Sequence, residues 1–353
     1  MCGLIGQSSS RYGAMIGVGG IGAGILFSLD GNQDLGRNES RGGRLLDSRD
    51  YCKLHIISHF LAVFAGATSE GRPFHVLPIG KVGQDASGDR LLAEMKGAGM
   101  DCRFVEAIAD LPTLFAVCYQ FPDGAGGNLT PTNAAPSQLN ETDLDHAQEL
   151  LEAYGSKAIA LAAPEVPLGI RDSLLRRATT MGAYRVASFI PGEMADAKRI
   201  GMLERVDLLA INEDEATALT GVPYSVSDPH PLLKACADFV RSCQPSMRVL
   251  LSLGRGGVYG FEKGRWVQVK AWNLPVSSTA GAGDTLLGSI LACLAAGWPF
   301  LPAENTSTGV LRSALEFGNL AAGLSVGSPH TIDPGLNLER IRAFAVEHGL
   351  TLG

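Results

Sequence analysis

The chain predicts an α/β fold: a doubly wound, mostly parallel sheet flanked by helices, with a small β lid. Three observations carry that expectation. From Lys157 onward strand-like and helix-like segments alternate, which is how a parallel sheet covered on both faces is built. Two consecutive strand-like runs, CRFVEAI and TLFAVCYQF, have no helix between them, which sets a small sheet apart. Glycine-rich stretches follow several of the strands, at the carboxyl edge where ligands of such sheets sit.

The first element is AMIGVGGIGAGILFSLDG, Ala14 to Gly31, in which Gly17, Gly19 and Gly22 spell the dinucleotide fingerprint G-x-G-x-x-G. That fingerprint requires a second strand and an acidic ribose ligand about 20 residues on. The interval Asp30 to Tyr51 is charged, glycine-rich and without a β-branched run, so no second strand fits there and a nicotinamide or flavin enzyme is disfavoured. The glycines instead suit a buried strand on whose end something packs closely. YCKLHIISHFLAVFAGA reads next as a mostly buried helix ending at Gly66. His55 and His59 stand four apart on it, but Ile56 holds the place of a zincin's glutamate, which leaves packing histidines.

FHVLPIGKVGQDASGDRLLAEMKGAGM reads as a strand, a glycine turn and a helix from about Ser87 to Lys96, stopped by Gly97 and Gly99. The two consecutive strands and a PDGAGG turn follow. Then come KAIALAA, the helix GIRDSLLRRATTMG, YRVASFI, VDLLAI, the helix in EDEATALTG, MRVLLSL, and GVYGFEKGRWVQV as a hairpin. Long helices are expected from Asp284 and from about Ser307. We expect one domain over 1–353, its lid formed from parts of 30–50 and 101–130.

With 353 residues, 46% of them hydrophobic and 18% charged, the chain can bury a large core. A net charge of −7 and no Lys/Arg run argue against a nucleic-acid partner. Seven cysteines, odd in number and never spaced C-x-x-C, suggest neither a disulfide framework nor a zinc site, so a reducing cytoplasm is the simplest location. No apolar run reaches the length of a membrane span.

Three strand ends carry chemistry. In SSTAGAGDTLLGSILACLAAGW, Asp284 to Ala296 reads as an apolar helix with Gly297 in the stop position and Pro299 beyond. Ala280, Gly281, Ala282 and Gly283 leave backbone N–H groups free to converge on an anion at the positive end of that helix. Asp284 there can take a proton from a substrate hydroxyl; the plainer alternative is an N-cap. In NEDEATALTG, Asn212 and Glu215 suit water-mediated Mg²⁺, or equally a capping box. In LLSLGRGGVYGF, Ser252, Gly254, Gly256 and Gly257 permit close approach by a nucleotide, or form a plain turn.

Taken in this order, the motifs resemble the ribokinase or PfkB family of carbohydrate and nucleoside kinases. TAGAGDTLLG is similar to its C-terminal signature, NEDEATALTG to its N-x-x-E element, SLGRGGVYG to its nucleotide loop, and PIGKVGQDASGDRLLAEMKGAGM to its G-x-V-G-x-D-x-x-G pattern. The resemblance runs from about Gly13 to Ser328. It implies ATP and Mg²⁺ as cofactors and phosphoryl transfer to an alcohol of a small molecule, with Asp284 as general base and Gly281, Ala282 and Gly283 as the anion hole. It further implies that Asn212 and Glu215 organise metal and phosphates, Glu215 through water. Ser252, Gly254, Gly257 and Asn319 would lie along the nucleotide, and a homodimer would form through the lid.

The acceptor side departs from the family. GGIGAG stands where a sugar-binding Asp is usual, no Asn follows Gly42 and Gly43 in the G-G-x-x-x-N manner, and Ser278 replaces an Asp that helps hold a monovalent cation, leaving that cation open. Asp30, Asn32, Asp34, Arg41 and Arg44 are therefore the expected acceptor contacts. A nucleoside acceptor and a non-catalytic sensor of the same fold stand as alternatives.

Overall fold

A computed structural model describes residues 3–5, 10–123, 125–303 and 310–352. The glycine-rich opening is two strands, not one: β1 (Ala14–Val18) and β2 (Gly22–Leu29), which enter different sheets. The polar segment after it does contain a strand, β3 (Gly43–Tyr51), contrary to expectation, but it pairs antiparallel with β2 and not in the manner of a nucleotide-binding second strand. There follow α1 (Lys53–Ala65), β4 (His75–Gly83), α2 (Ala86–Gly97), β5 (Phe104–Ile108), β6 (Leu114–Gln120), β7 (Gly126–Leu129) and α3 (Glu141–Tyr154).

The alternating half continues as β8 (Ala158–Ala162), α4 (Leu168–Thr180), β9 (Tyr184–Ser188), α5 (Met194–Arg199), β10 (Leu208–Asn212), α6 (Glu213–Thr220), α7 (His230–Cys243) and β11 (Arg248–Ser252). The hairpin β12 (Val258–Glu262) and β13 (Arg265–Val269) precedes α8 (Ala282–Ala295), β14 (Val310–Leu311), α9 (Ala314–Ser325), α10 (Leu338–Glu347) and β15 (Thr351–Leu352). The expected helix start near Ser307 falls among residues outside those described; α9 itself begins at Ala314 behind a Ser313 cap whose hydroxyl accepts from Glu316 N.

The large sheet runs β13-β12-β11-β10-β9-β8-β1-β4-β5, parallel from β11 through β5 and closed at the other edge by the antiparallel hairpin. Successive residues of one strand feed opposite cores, the period-2 geometry of a strand buried on both faces. Met15, Ile159 and Leu161 pack with α1, α8 and α9, while Ile16, Val18, Ala158 and Ala160 pack with α3 and α4. A third cluster joins β9, β10 and β11 to α5, α6 and α7.

The small sheet runs β3-β2-β6-β7. It takes in β2, which precedes the segment expected to form it, and it excludes β5. CRFVEAI is thus corrected to an edge strand of the large sheet, parallel to β4. Among the described residues no helix is long and apolar enough to cross a membrane.

The direction of winding reverses at β1, which lies between β8 and β4. Ligands of such sheets bind at the carboxyl ends beside that reversal. Here those ends carry Gly19, Gly20 and the Ala163–Glu165 turn.

Candidate active site

A cleft of about 850 Å³ opens along the carboxyl edge, between the small sheet and the starts of α1, α6 and α8. Ala282, Gly283, Asp284, Asn212, Glu215, Ser252, Gly254, Gly257 and Asn319 all line it, although they come from four separate parts of the chain.

The start of α8 explains the glycine run. Gly281 is its N-cap with φ 75°, and a Cβ there would lie 2.6 Å from the carbonyl oxygen of Thr331, so both conformation and space require glycine. Asp284 is therefore the third residue of the helix and not its cap, and the cap reading is corrected. Its carboxyl reaches the cleft among apolar helix, where burial pushes its pKa up to about 6 against the lowering charge of Lys53.

Asn212 and Glu215 form the capping box: Asn212 Oδ1 accepts from Glu215 N at 2.9 Å, and Glu215 Oε2 accepts from Asn212 N at 2.9 Å. The box does not exclude a site role, since it fixes Glu215 with its other oxygen, Oε1, 3.2 Å from Lys53 Nζ. No group of three or more acidic, histidine or cysteine ligands that could hold a metal ion occurs among the described residues. One fixed carboxylate in a polar cleft fits Mg²⁺ that keeps its water and takes its remaining oxygens from phosphates.

On the nucleotide side Gly257, φ 84°, approaches Val269 O so closely that a Cβ would stand 2.3 Å from it. Asn319, buried on α9, donates to Lys270 O at 2.9 Å and so holds the segment between β13 and Trp272. Trp272, Val276, Ala322 and Val326 add an apolar slot suited to a flat base. Ser278 turns its hydroxyl back to accept from Ala280 N at 3.2 Å.

The five residues expected to contact the acceptor are placed differently from one another. Of Asp30, Asn32, Asp34, Arg41 and Arg44, only Arg44 lines the cleft. Arg41 is committed within its own loop, pairing with Glu39 and donating to Gln33 O at 2.6 Å and Asp34 O at 3.2 Å. Asn32 Oδ1 accepts from Asp123 N at 3.1 Å, which ties the loop to the turn after β6. Asp30 and Asp34 are exposed. Ser28 and Gln120 line the cleft beside Arg44: Ser28 pairs with Arg44 on one side and Gln120 on the other, so the three share the face above the cleft.

Two further residues escaped sequence reasoning. Lys53, the first residue of α1, donates from Nζ to Phe189 O at 2.9 Å and faces Glu215. Burial would lower its pKa, but the charges of Asp284, Glu215 and Glu165 outweigh burial and hold it above the ordinary lysine value. Glu165 follows β8 with φ 72°, and its Oε2 is buried without a hydrogen-bond partner. Burial pushes it up to about 7, with Lys53 opposing. Neither residue belongs to a glycine-rich motif; a lone charge at the head of an apolar helix was the available signal for Lys53. His55 packs edge-on against Tyr51 at 4.7 Å with neither ring nitrogen hydrogen-bonded, in keeping with a packing histidine.

The model of the pfkB family carbohydrate kinase matches residues 71–337. Ribokinase of Staphylococcus aureus (strain COL) is 26% identical over 248 residues, covering 70% of this chain and 75% of that protein. The structure of ribokinase from Cryptococcus neoformans var. grubii in complex with ADP superposes with a TM-score of 0.74 at 18% identity, covering 95% of this chain and 100% of the other. That of Arabidopsis thaliana ribokinase with ribose and ATP gives 0.65 at 20% identity, covering 95% and 99%.

Proposed function

The chain belongs to the pfkB family of carbohydrate kinases, and from that premise we propose that it transfers the γ-phosphoryl group of ATP to a hydroxyl of a sugar or related small molecule, with Asp284 as general base. The observation that carries this reading is the convergence of Asp284, the backbone of Gly283 at the head of α8, and Glu215 on one cleft that also holds an apolar slot; the Ala282 amide of the expected anion hole is instead turned to Thr279 O at 3.3 Å. The relatives reported above are ribokinases, one bound to ADP and one to ribose and ATP.

Asp284 accepts the proton of the acceptor hydroxyl as the acceptor oxygen forms its bond to the γ-phosphorus. The bond from that phosphorus to the bridging oxygen breaks, ADP leaves, and the proton passes from Asp284 to solvent. The amides at the head of α8 hold the charge on the phosphoryl oxygens during transfer. Hydrated Mg²⁺, oriented by Glu215, supplies charge neutralisation on the phosphates when bound. Ser28, Arg44 and Gln120 hold the acceptor from above, and Ser252, Gly254, Gly257 and Asn319 follow the nucleotide.

The outer face of the small sheet supports a homodimer. Leu45, Phe115 and Leu129 are exposed there, and the register puts them on the side opposite Ser28, Arg44 and Gln120. The six cysteines among the described residues are free, which suits a reducing, cytoplasmic setting.

The test is an ADP-release screen with ATP, Mg²⁺ and sugars, sugar phosphates and nucleosides as acceptors. Asp284→Asn should cut turnover by roughly 10²- to 10⁴-fold while leaving ATP affinity within a few-fold. Near wild-type release by a clean preparation of that variant would reduce Asp284 to a first-turn carboxylate that favours the helix.

A further inference from the structure

Lys53 stands where elementary electrostatics disfavours it. It is the only charged residue in the sequence KLHIISHFLAVFA of α1, and it occupies the first turn, at the positive end of the helix dipole. Its side chain is three-quarters buried. Arg44 and Arg255, the other basic residues along the cleft, are exposed. Lys53 alone is a fixed cation: Phe189 O holds its ammonium from one side and Glu215 from the other. The support is itself buttressed. Arg171, fully buried on α4, donates to Ser188 O at 2.5 Å and pairs with Glu193 at 2.8 Å, which fixes the end of β9 that presents Phe189.

One residue before the carbonyl that holds the ammonium lies a second unexplained group. Ser188 lines the cleft, is 4% exposed, and its hydroxyl has no hydrogen-bond partner. Buried hydroxyls are normally paired, and an orphan one facing a cleft points to a ligand oxygen. Lys53 and Ser188 sit at the ends of α1 and β9, between the nucleotide side formed by β10 and β11 and the acceptor side formed by β1, β8 and the small sheet. The phosphoryl group must cross that junction.

We propose that Lys53 and Ser188 contact the phosphoryl group being transferred, the ammonium and hydroxyl each donating to one of its non-bridging oxygens across the cleft from Gly283 at the head of α8. The inference rests on the phosphoryl-transfer reading above. On binding, Lys53 exchanges its contact with Glu215 for the phosphoryl oxygen, which frees Glu215 Oε1 for the water shell of Mg²⁺. Charge on those oxygens is what a transferase must stabilise, and a cation already held by Phe189 O does so at the cost of one exchanged contact.

The experiment compares binding of MgADP alone with MgADP plus beryllium fluoride, which mimics the terminal phosphoryl group, by calorimetry on the full chain. The quantity read is the ratio of the two affinities. Lys53→Met should lower that ratio by tenfold or more and Ser188→Ala by a few-fold, with Lys53→Arg restoring part of the loss. Unchanged ratios in Lys53→Met and Ser188→Ala would overturn the proposal and leave Lys53 as a neutralising partner of Glu215. Should the Met variant fail to unfold cooperatively, Ser188→Ala and Lys53→Arg decide by the same ratio. Wild-type protein that binds neither form of MgADP would remove the kinase reading itself, a result distinct from a wild-type ratio that the variants do not alter.

Discussion

Replacing Glu165 by Gln should stabilise the protein at alkaline pH and change little in acid. The side chain sits after β8 with φ 72°, in a space that exists because Gly20 has no side chain; a Cβ on Gly20 would lie 2.5 Å from Glu165 Cβ and 2.7 Å from its Oε2. That oxygen is buried and unpartnered. Burial raises the carboxyl from 4.5 to about 7 even with the Lys53 charge opposing. Because the folded state holds the proton more tightly than the unfolded state, this group's contribution to stability is fully present below about pH 4.5. It declines as pH rises and is lost above about pH 7. At about 1.4 kcal/mol per pH unit, the interval amounts to about 3 kcal/mol, the gain expected for the neutral isostere at pH 8. Urea unfolding of both proteins at pH 8 and pH 5 reads this directly, since the other carboxylates cancel in the difference. A difference that is the same at both pH values, or a variant less stable at pH 8, would refute the reasoning. A buried charge of this kind, retained at a cost in stability, is typical of functional positions.

If Asp284 is the base, as proposed, it must be ionised to act, and burial holds its pKa at about 6; kcat/KM should then fall about tenfold per pH unit below that value. An acidic limb near pH 4 would mean that another group governs the rate. Gly281→Ala should cost about 1–3 kcal/mol in unfolding free energy and more in turnover, because φ 75° and an added Cβ 2.6 Å from the Thr331 carbonyl would displace the start of α8 that carries Gly283 and Asp284. A thermal melt and a rate measured on the same preparation separate the two effects, and equal small losses in both would show that the loop adapts.

The residues proposed for phosphoryl transfer are legible in the sequence because they are local. Gly281 to Asp284 lie within one helix start, Asn212 and Glu215 within one capping box, and Ser252 to Gly257 within one turn, so spacing alone conveys what each backbone can do. Alternation of strands and helices likewise announced the large sheet. Sheet membership was another matter. β5 and β6 are both short runs with apolar residues, and pairing with β4 or β2, not composition, decides which sheet receives each.

The residues proposed to hold the acceptor depend on contacts that no motif records. Arg41 was a reasonable candidate by charge, yet Glu39 and two neighbouring carbonyls engage its donors. Ser28 and Gln120 carry no motif; a ladder register aligns them with Arg44. Lys53 meets Phe189 and Glu215, 136 and 162 residues away. Charge and hydrogen bonding act through space with the separation of atoms, whereas a motif records only separation along the chain, so the pairs that make up this half of the cleft become visible only after the sheet has brought its strand ends together.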